Sequence, residues 1–242
     1  MKINIENLKK SFGTNVAVDI EQFTINHGDM LGIVGNNGAG KTTLFRMMLD
    51  LLKADTGKVT LTPDTDDSLM IDPSQSEQWK AYTGAYIDNS FLIDFLTPEE
   101  YFEFVGHVSN MDKEQTKRRI AEFEDFFNGE ILGQKKYIRD LSAGNKQKVG
   151  ITAALFGSPQ LVILDEPFNF LDPSSQNMLK KTLVKYNRDT NATILISSHN
   201  LQHTVEISSR VALLERGRII KNLDNSEGRA ASELDNYFSG SL

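Results

Sequence analysis

The chain has 242 residues, enough for one large domain or for a domain with a subdomain. Its 26 lysines and arginines against 33 aspartates and glutamates give a net charge of −7 at pH 7, and this acidic balance argues against nucleic acid as a partner. Cysteine is absent, which excludes disulfides and cysteine-ligated zinc. No signal peptide is evident, and no apolar run approaches the roughly 18 residues of a membrane-spanning helix. The sequence therefore predicts a soluble globular chain.

The N-terminal quarter has the pattern of short strands. Residues 1–8 and 16–25 alternate apolar and polar side chains, as in strands of a half-exposed antiparallel sheet. The run 30–34 is apolar throughout and predicts a short buried strand. Another strand is predicted at 58–62, and the polar residues 63–78 read as a surface loop.

A glycine-rich stretch over residues 35–42 lies between the buried strand and a helix predicted over 42–53. It fits the phosphate-binding pattern G-x-x-x-x-G-K-[ST]. Glycines let the backbone wrap closely around phosphate, while its N–H groups and the helix N-terminus attract the negative charge. Lys41 is expected to reach the β- and γ-phosphates, and the Thr42 hydroxyl to bind Mg²⁺. The expected nucleotide contacts are Gly35, Asn36, Asn37, Gly38, Ala39, Gly40, Lys41, Thr42 and Thr43.

Residues 85–158 predict an inserted helical subdomain. Thr97, followed by proline and then by glutamate at the third helical position, has the capping-box pattern and predicts a helix to about residue 107. A second helix begins at Asp112 and is expected to carry Phe123, Phe126 and Phe127 on one face. A third begins at Ser142 and ends near residue 157.

The remaining chain alternates strands and helices, which predicts a parallel sheet. The expected order is strand 161–165, helix 173–188, strand 193–197, helix 201–208 and a hairpin. The fold class is therefore α/β: a P-loop NTPase core with a parallel sheet, an N-terminal antiparallel β-subdomain and the helical insertion. One domain over 1–242 is expected, divided into a catalytic core of 1–84 and 159–222, a helical subdomain of 85–158, and a polar tail of 223–242.

Two carboxylates directly follow the strand that ends near residue 165. The apolar residues 161–164 form a buried strand, whose carboxyl end delivers Asp165 to the ligand-binding edge of the sheet. Asp165 is expected to hold Mg²⁺ through water. Glu166 is expected to polarise the water that attacks the γ-phosphate. Together with the phosphate-binding loop, this pattern favours an ATPase over a solvated acidic turn.

The stretch 141–147 opens the third helix of the insertion, about twenty residues before Asp165. Ser142 as N-cap and Gly144 make a helix start suited to an anion. Along the chain, the phosphate loop comes first and is followed by this stretch, by Asp165 and Glu166, and by His199. This order resembles that of the nucleotide-binding subunit of ATP-binding-cassette transporters, over essentially the whole chain. Leu-Ser-Ala-Gly-Asn is similar to that family's Leu-Ser-Gly-Gly-Gln signature, with two substitutions.

The resemblance implies head-to-tail dimers, homomeric or heteromeric, in which the signature of one subunit closes on the ATP held by the other. Ser142 and Gly144 are then expected to contact ATP across the dimer. His199 matches the family's switch histidine, which senses the γ-phosphate and orients the attacking water. Lys41, Glu166 and His199 are therefore the expected catalytic residues.

Two further matches also have a structural interpretation. Asp172 matches a residue of the family's loop that contacts the second subunit of the dimer. It also precedes Pro173, which makes it a good helix N-cap, and the dimer contact and the cap are compatible roles. Phe12 matches the aromatic residue that stacks on adenine, although an aromatic side chain near a strand end is often core. We expect Phe12 to stack.

One position departs from the family pattern. The family usually has glutamine after the strand that precedes the helical subdomain, where it contacts Mg²⁺ and the permease. Aligning Gly84 and Thr97 with the family places Asp88 there, so Asp88 is a further expected metal contact. A register shift of one would make it Asn89. Aspartate is shorter than glutamine by one methylene and, when ionised, donates no hydrogen bond.

The favoured function is an ATP- and Mg²⁺-dependent ATPase subunit that dimerises on ATP and drives a separate membrane permease. It is expected to be cytoplasmic and peripheral on the inner face of the cell membrane. The run 141–148 and the acidic residue Asp88 look like those of exporters, so export is expected. The alternative is a soluble, non-transport ABC ATPase that acts as an assembly scaffold. A phosphotransferase or nucleic-acid-linked enzyme is disfavoured, because Lys41 and Asp165 lie too close in sequence for the long coiled coil of the DNA-repair relatives.

Overall fold

The computed structural model describes residues 1–225 and 227–240. The strands are β1 (Lys2–Phe12), β2 (Asn15–Ile25), β3 (Met30–Val34), β4 (Thr56–Thr62), β5 (Thr83–Tyr86), β6 (Leu161–Leu164), β7 (Thr193–Ser198), β8 (Arg210–Glu215) and β9 (Arg218–Asp224). The α-helices are α1 (Lys41–Met48), α2 (Pro98–Val108), α3 (Lys113–Ala121), α4 (Glu124–Phe127), α5 (Ala143–Phe156), α6 (Pro173–Thr190), α7 (Leu201–Ile207) and α8 (Ala230–Gly240). The α/β class predicted from the sequence is confirmed.

The strands form two sheets. A three-stranded antiparallel sheet has the order β2-β1-β4, and a six-stranded sheet has the order β5-β6-β7-β3-β8-β9. The strands β5, β6, β7, β3 and β8 run parallel, while β9 pairs antiparallel with β8. Every residue of β3, β6 and β7 is buried, because helices cover both faces of a parallel sheet and its strands must be apolar throughout.

The register of the three central strands fixes the place of the site. Val34 at the end of β3 lies opposite Ser198 of β7, and Leu164 at the end of β6 lies opposite Ile196. The residues that follow these strand ends therefore emerge together at the carboxyl edge of the sheet, where open α/β sheets bind ligands.

The helical insertion is built as its caps predict. Thr97 and Asp112 each accept a hydrogen bond from the third backbone N–H of their helices and receive the reciprocal side chain, so both capping boxes are present. The core of the insertion is a stack of three phenylalanine rings, in which Phe102 lies 5.6 Å from Phe127 and 5.7 Å from Phe156 between ring centroids. The stack joins α2, α4 and α5 into one unit.

Two helices end earlier than the sequence predicts. The first was expected to run to residue 53, but α1 ends at Met48, because Asp50 takes a left-handed conformation with φ of 50° that interrupts the helical hydrogen bonding. The second was expected to continue through Phe127, but α3 ends at Ala121. Phe126 and Phe127 lie in the separate short helix α4, where both are buried. The spacing of apolar residues alone does not show where a helix is interrupted.

The C-terminal segment is more structured than its polar composition indicates. Strand β9 continues to Asp224, and α8 buries Ala230 and Leu234 against the end of the six-stranded sheet. The expected boundary between core and helical subdomain, after residue 84, falls inside β5, whose last residue is Tyr86. The division into core and helical subdomain remains a proposal.

Candidate active site

The phosphate-binding loop connects β3 to α1 as the sequence predicts. Gly38 and Gly40 have φ of 82° and 108°, values that favour glycine. At Gly40 a Cβ atom would also lie 2.2 Å from the carbonyl oxygen of Ala17, so no larger residue fits. The Lys41 side chain is buried and donates to the carbonyl oxygens of Gly35, at 2.7 Å, and Asn36, at 3.4 Å. The Lys41 ammonium group is thus held by carbonyl oxygens of its own loop.

Asp165 lies between two hydroxyl groups at the end of β6. Thr42 Oγ1 donates to Asp165 Oδ2 at 2.5 Å, and the Ser197 hydroxyl donates to Asp165 Oδ1. Burial raises the pKa of Asp165, and these two hydrogen bonds oppose the rise without cancelling it. An ionised carboxylate at this position is therefore costly until a cation compensates it.

Glu166 adopts a left-handed backbone conformation, with φ of 47°. Its N–H donates to Ser197 Oγ at 2.8 Å. Glu166 Oε2 is 2.8 Å from His199 Nδ1 and also accepts from the His199 backbone N–H at 3.3 Å. Glu166 Oε1 is 3.4 Å from Lys41 Nζ. The three predicted catalytic side chains are therefore in direct contact.

A cavity of about 340 Å³ lies beside these groups, a size typical of ligand pockets. Phe12, Asn15, Ala17, Glu166 and the loop residues 37–43 line it. The Phe12 ring, at the end of β1, is 53% exposed and has Lys10 Nζ 5.8 Å from its centroid. Phe12 is therefore not a core residue, and stacking of its ring on a base remains a prediction.

The signature residues lie at the start of α5, where Ser142 accepts a hydrogen bond from the N–H of Asn145 at 3.2 Å. A Cβ atom at Gly144 would lie 2.6 Å from the carbonyl oxygen of Phe170, so the loop after Glu166 packs directly on the signature helix. Asp172 caps α6, accepting from the N–H groups of Ser174 and Ser175, and its structural role is clear. Ser142 itself is exposed.

Asp88 has other partners than the expected metal. Its carboxylate accepts from the Ser90 N–H at 2.8 Å and forms an ion pair with Arg46 of α1 at 3.2 Å. Burial would raise the pKa of Asp88, but the Ser90 hydrogen bonds and the Arg46 charge together hold it below its usual range. Asn89 accepts from the Tyr86 hydroxyl at 2.7 Å. Metal contact by Asp88 remains a prediction.

A family model described as "ABC transporter" matches residues 18–169, well over half of the chain. The chain belongs to the ABC transporter family. The matched range contains the phosphate loop, the signature and both carboxylates of this cassette. His199 and Asp172 lie beyond it, and their assignment rests on the geometry described above.

Two relatives illustrate the similarity of this cassette to curated proteins. An uncharacterised ABC transporter ATP-binding protein of Synechocystis is 31% identical over 211 residues, which are 84% of this chain and 57% of that protein. The probable sulfate/thiosulfate import ATP-binding protein CysA of Chlorella vulgaris is 30% identical, over 91% of this chain and 90% of that protein. The cassette therefore spans little more than half of one relative and nearly all of the other.

The fold of this cassette is also that of solved structures. The structure described as a dimeric structure of MJ0796, a bacterial ABC transporter cassette, matches with a TM-score of 0.79 and 21% identity. The match covers 92% of this chain and 98% of that one. At this identity the likeness shows the fold. Together with the family match, it establishes an ATP-binding ABC ATPase.

Sequence patterns missed two residues of the cassette's site. Ser197 bridges Asp165 and Glu166 through one hydroxyl. Gln147 of α5 donates to the Glu166 carbonyl oxygen at 3.0 Å and so ties the signature helix to the catalytic loop. The parallel register could have found Ser197, because β7 pairs with β6 and places residue 197 beside Asp165. Nothing in the sequence marks the Gln147 contact, which depends on how α5 packs.

Proposed function

We propose that this cassette is the ATP-hydrolysing subunit of a transporter, which dimerises on ATP and drives a separate membrane permease. One observation carries the hydrolytic part of the proposal: Lys41, Glu166 and His199 converge beside the cavity of the phosphate loop. The three groups are held by further contacts within the chain, which fix their positions relative to one another. Such preorganisation is what phosphoryl transfer chiefly requires of a protein.

The residues of the loop bind and orient the nucleotide. Backbone N–H groups of residues 37–43 surround the phosphates, and the Phe12 ring stacks on the base. Lys41 is paired with Glu166 in the structure. Lys41 is expected to contact the β- and γ-phosphates of bound ATP.

The residues present fit a magnesium ion. Mg²⁺ prefers oxygen ligands and is commonly held by one or two carboxylates together with substrate phosphates. Thr42 Oγ1 and Asp165 Oδ2 lie 2.5 Å apart, and burial raises the pKa of Asp165 despite the nearby Lys41 charge, so a bound cation would stabilise the ionised carboxylate. Thr42 and Asp165 would hold the ion. When bound, Mg²⁺ neutralises charge on the β- and γ-phosphates.

Glu166 acts as the general base. The hydrogen bond from its backbone N–H to Ser197 Oγ holds the left-handed main chain, and the His199 ring and backbone N–H both contact Oε2 of the side chain. Oε1 is then the oxygen that takes the proton from the attacking water. His199 is half-exposed, and its ring would contact the γ-phosphate of bound ATP. The chemistry is water attack on the γ-phosphate, with Glu166 holding the proton.

A second cassette completes the site. Ser142 and Gly144 lie at the start of α5, where Ser142 is exposed. In the dimer the signature of one subunit closes on the ATP of the other, with Asp172 at the interface. The partner is a second copy of this chain or a related cassette.

The permease has a suitable surface on the helical side. A groove of about 440 Å³ lies between β5, α2 and α5. Polar residues such as Lys80 and Asn110 line part of it, and its apolar part is lined by Ala85, Phe91, Tyr101, Val105 and Val108. Phe91 and Val108 are 52% and 64% exposed, which is typical of a surface that meets another protein. We call this apolar part the apolar groove. Asp88, three residues before Phe91, is the residue proposed for the coupling position.

The membrane location follows from the permease. Among helices of residues 1–225 and 227–240, none is long and apolar enough to span a bilayer. The cassette would be cytoplasmic and would sit on the inner face of the membrane through the apolar groove. The export direction expected from the sequence is not supported, since the Chlorella relative is named an import protein. The assembly-scaffold alternative is not favoured.

The test of the proposal is Glu166→Gln. The amide keeps the shape of the side chain but cannot take a proton, so ATP binding should persist while hydrolysis falls by about 10²–10⁴-fold. ATP then remains at the interface, and sedimentation velocity with ATP and Mg²⁺ should show a dimer. A chain that binds ATP with parental affinity yet stays monomeric at all concentrations would contradict the dimeric mechanism.

A further inference from the structure

The phosphate-binding loop is held on its outer side by the turn between β8 and β9, residues 215–218, which we call the hairpin turn. The Gly217 N–H of this turn donates to the Ala39 carbonyl oxygen of the loop at 2.9 Å. The Gly217 carbonyl oxygen in turn accepts from the Asp19 N–H of β2 at 2.8 Å. Gly217 therefore joins the loop to the antiparallel sheet.

The end of β8 and the hairpin turn lie against both ends of the loop. A Cβ atom at Gly35 would lie 2.2 Å from the Leu214 carbonyl oxygen, and a Cβ atom at Gly40 would lie 3.5 Å from Gly217 Cα. Arg216 and Gly217 have φ of 47° and 79°, as the tight turn of a β-hairpin requires. A displacement of the hairpin turn would therefore reach both ends of the loop.

Helix α8 is fixed to the strands that lead to the loop. Ala230 and Leu234 are buried in one cluster with Val34, the last residue before the loop. Lys221 of β9 also forms an ion pair with Glu233 of the helix at 3.6 Å. The helix therefore has a defined position relative to the loop.

Tyr237 links this helix to the hairpin turn. Its hydroxyl donates to Glu215 Oε2 at 2.6 Å, and this hydrogen bond to a carboxylate raises the pKa of Tyr237. A cavity of about 310 Å³ is lined both by Tyr237 and by the loop residues 35–39. The described hydrogen bonds thus lead from α8 to Glu215 of the turn, and from Gly217 of the turn to the loop.

We propose that Tyr237 is a positioning residue for the phosphate-binding loop: by holding Glu215 it fixes the hairpin turn, and with it the loop conformation that binds ATP. The inference rests on the proposed function, because it needs ATP at this loop. Ala39, which the turn holds, lies among residues 37–43, whose N–H groups would surround the phosphates. Binding groups must be held to within about 0.5 Å, and the contacts behind them supply that precision.

The role predicts a split between substrate binding and turnover. Loss of the Tyr237 hydroxyl should loosen the loop and weaken ATP binding. Glu166 and His199 follow β6 and β7 and are held there by their own hydrogen bonds, so the chemical step should change little. Destabilisation of the fold as a whole would not produce this split.

The experiment compares Tyr237→Phe, which keeps the ring and removes the hydroxyl, with the parent chain in ATP and Mg²⁺. The ATP dissociation constant from isothermal titration and the KM of hydrolysis should each rise by about three- to tenfold, the scale of one hydrogen bond. The kcat should stay within about twofold, and the melting temperature of the nucleotide-free chain within about 2 °C. Tyr82→Phe, at the amino end of β6, is the matched control and should change none of these quantities.

Substitutions at Glu215 test whether Tyr237 acts through this residue. Glu215→Ala should raise the KM as Tyr237→Phe does, whereas Glu215→Gln keeps an acceptor oxygen and should have a smaller effect. The double variant Glu215→Ala, Tyr237→Phe should bind ATP no more weakly than Glu215→Ala alone, because both substitutions remove the same link. Effects that add in the double variant would overturn the proposal.

Lys41→Ala separates the positioning role from the ATP site itself. If Lys41→Ala binds ATP with parental affinity, the proposed function fails and the positioning role fails with it. If Lys41→Ala loses ATP while Tyr237→Phe keeps the parental dissociation constant and KM, the positioning role alone is overturned. A lower kcat and melting temperature at unchanged KM would also overturn it, because the hydroxyl would then serve the fold.

Discussion

The carboxyl edge of the six-stranded sheet and the apolar groove differ in how their side chains are held. At the sheet edge, Asp165, Glu166 and Lys41 are largely buried and bound to one another or to neighbouring hydroxyl and carbonyl groups. In the groove, Phe91 and Val108 are more than half exposed. One region is preorganised for chemistry, and the other presents apolar surface for a partner.

The difference shows how two kinds of function depend on structure. A polar site must satisfy its groups within the chain, because buried polar groups without partners are costly. A docking surface can leave its apolar groups exposed, since the partner covers them. Substitutions at the sheet edge should therefore affect ATP itself, whereas substitutions in the groove should affect only the response to the permease.

The largest effect is expected from Lys41→Ala. The substitution removes the main cation near the β- and γ-phosphates and leaves Glu166 without its partner. ATP affinity should fall by about 100-fold or more and turnover should be lost, because charge-assisted bonds to phosphate are strong. Isothermal titration with ATP and Mg²⁺ measures the change. Parental affinity in the variant would refute the assignment of the loop.

A large effect is also expected from Phe91→Ser in the groove, but only when the permease is present. Basal hydrolysis should stay within about twofold, while stimulation by the reconstituted permease should fall by about tenfold, the scale of one interface hot spot. Val184→Ser on α6 removes a comparable exposed apolar side chain elsewhere and serves as the control. Full stimulation of Phe91→Ser would place the permease on another surface.

The sheet edge could be predicted closely from the sequence, and the groove could not. The phosphate loop, Asp165 and Glu166 each follow a buried strand within a few residues, so local pattern and parallel register determine where they meet. The groove joins residues of β5, α2 and α5, which are far apart in sequence and meet only through packing. The same reason explains why the Gln147 contact was missed.

A smaller effect is expected from Asp88→Ala, which tests the boundary between the two regions. Asp88 is paired with Arg46 of the phosphate-loop helix and precedes Phe91 of the groove by three residues. ATP affinity should stay within about threefold, because exposed ion pairs contribute little. Stimulation by the permease should fall more than basal hydrolysis. If Asn89→Ala loses stimulation while Asp88→Ala keeps it, the coupling position is Asn89.

The smallest effect is expected from Asp172→Asn, and it depends on pH. Hydrogen bonds from Ser175 and Ser174 hold the pKa of Asp172 below its usual range. The ionised cap therefore stabilises the fold above the ordinary carboxyl pKa, and this stabilisation is lost as pH falls through the depressed value. At pH 7 the variant should melt about 1–2 °C lower than the parent, and the difference should vanish in acid.

Completion of the ATP site by a second subunit is tested most directly with a mixed dimer of Lys41→Ala and Ser142→Arg chains. Such a hybrid has one site with both defects and one site with neither. The measurement is the amount of nucleotide retained per crosslinked hybrid in the presence of ATP and Mg²⁺. The account predicts one retained ATP per crosslinked hybrid dimer and no retained ATP in crosslinked dimers of either variant alone. Hybrids that retain no nucleotide would contradict it.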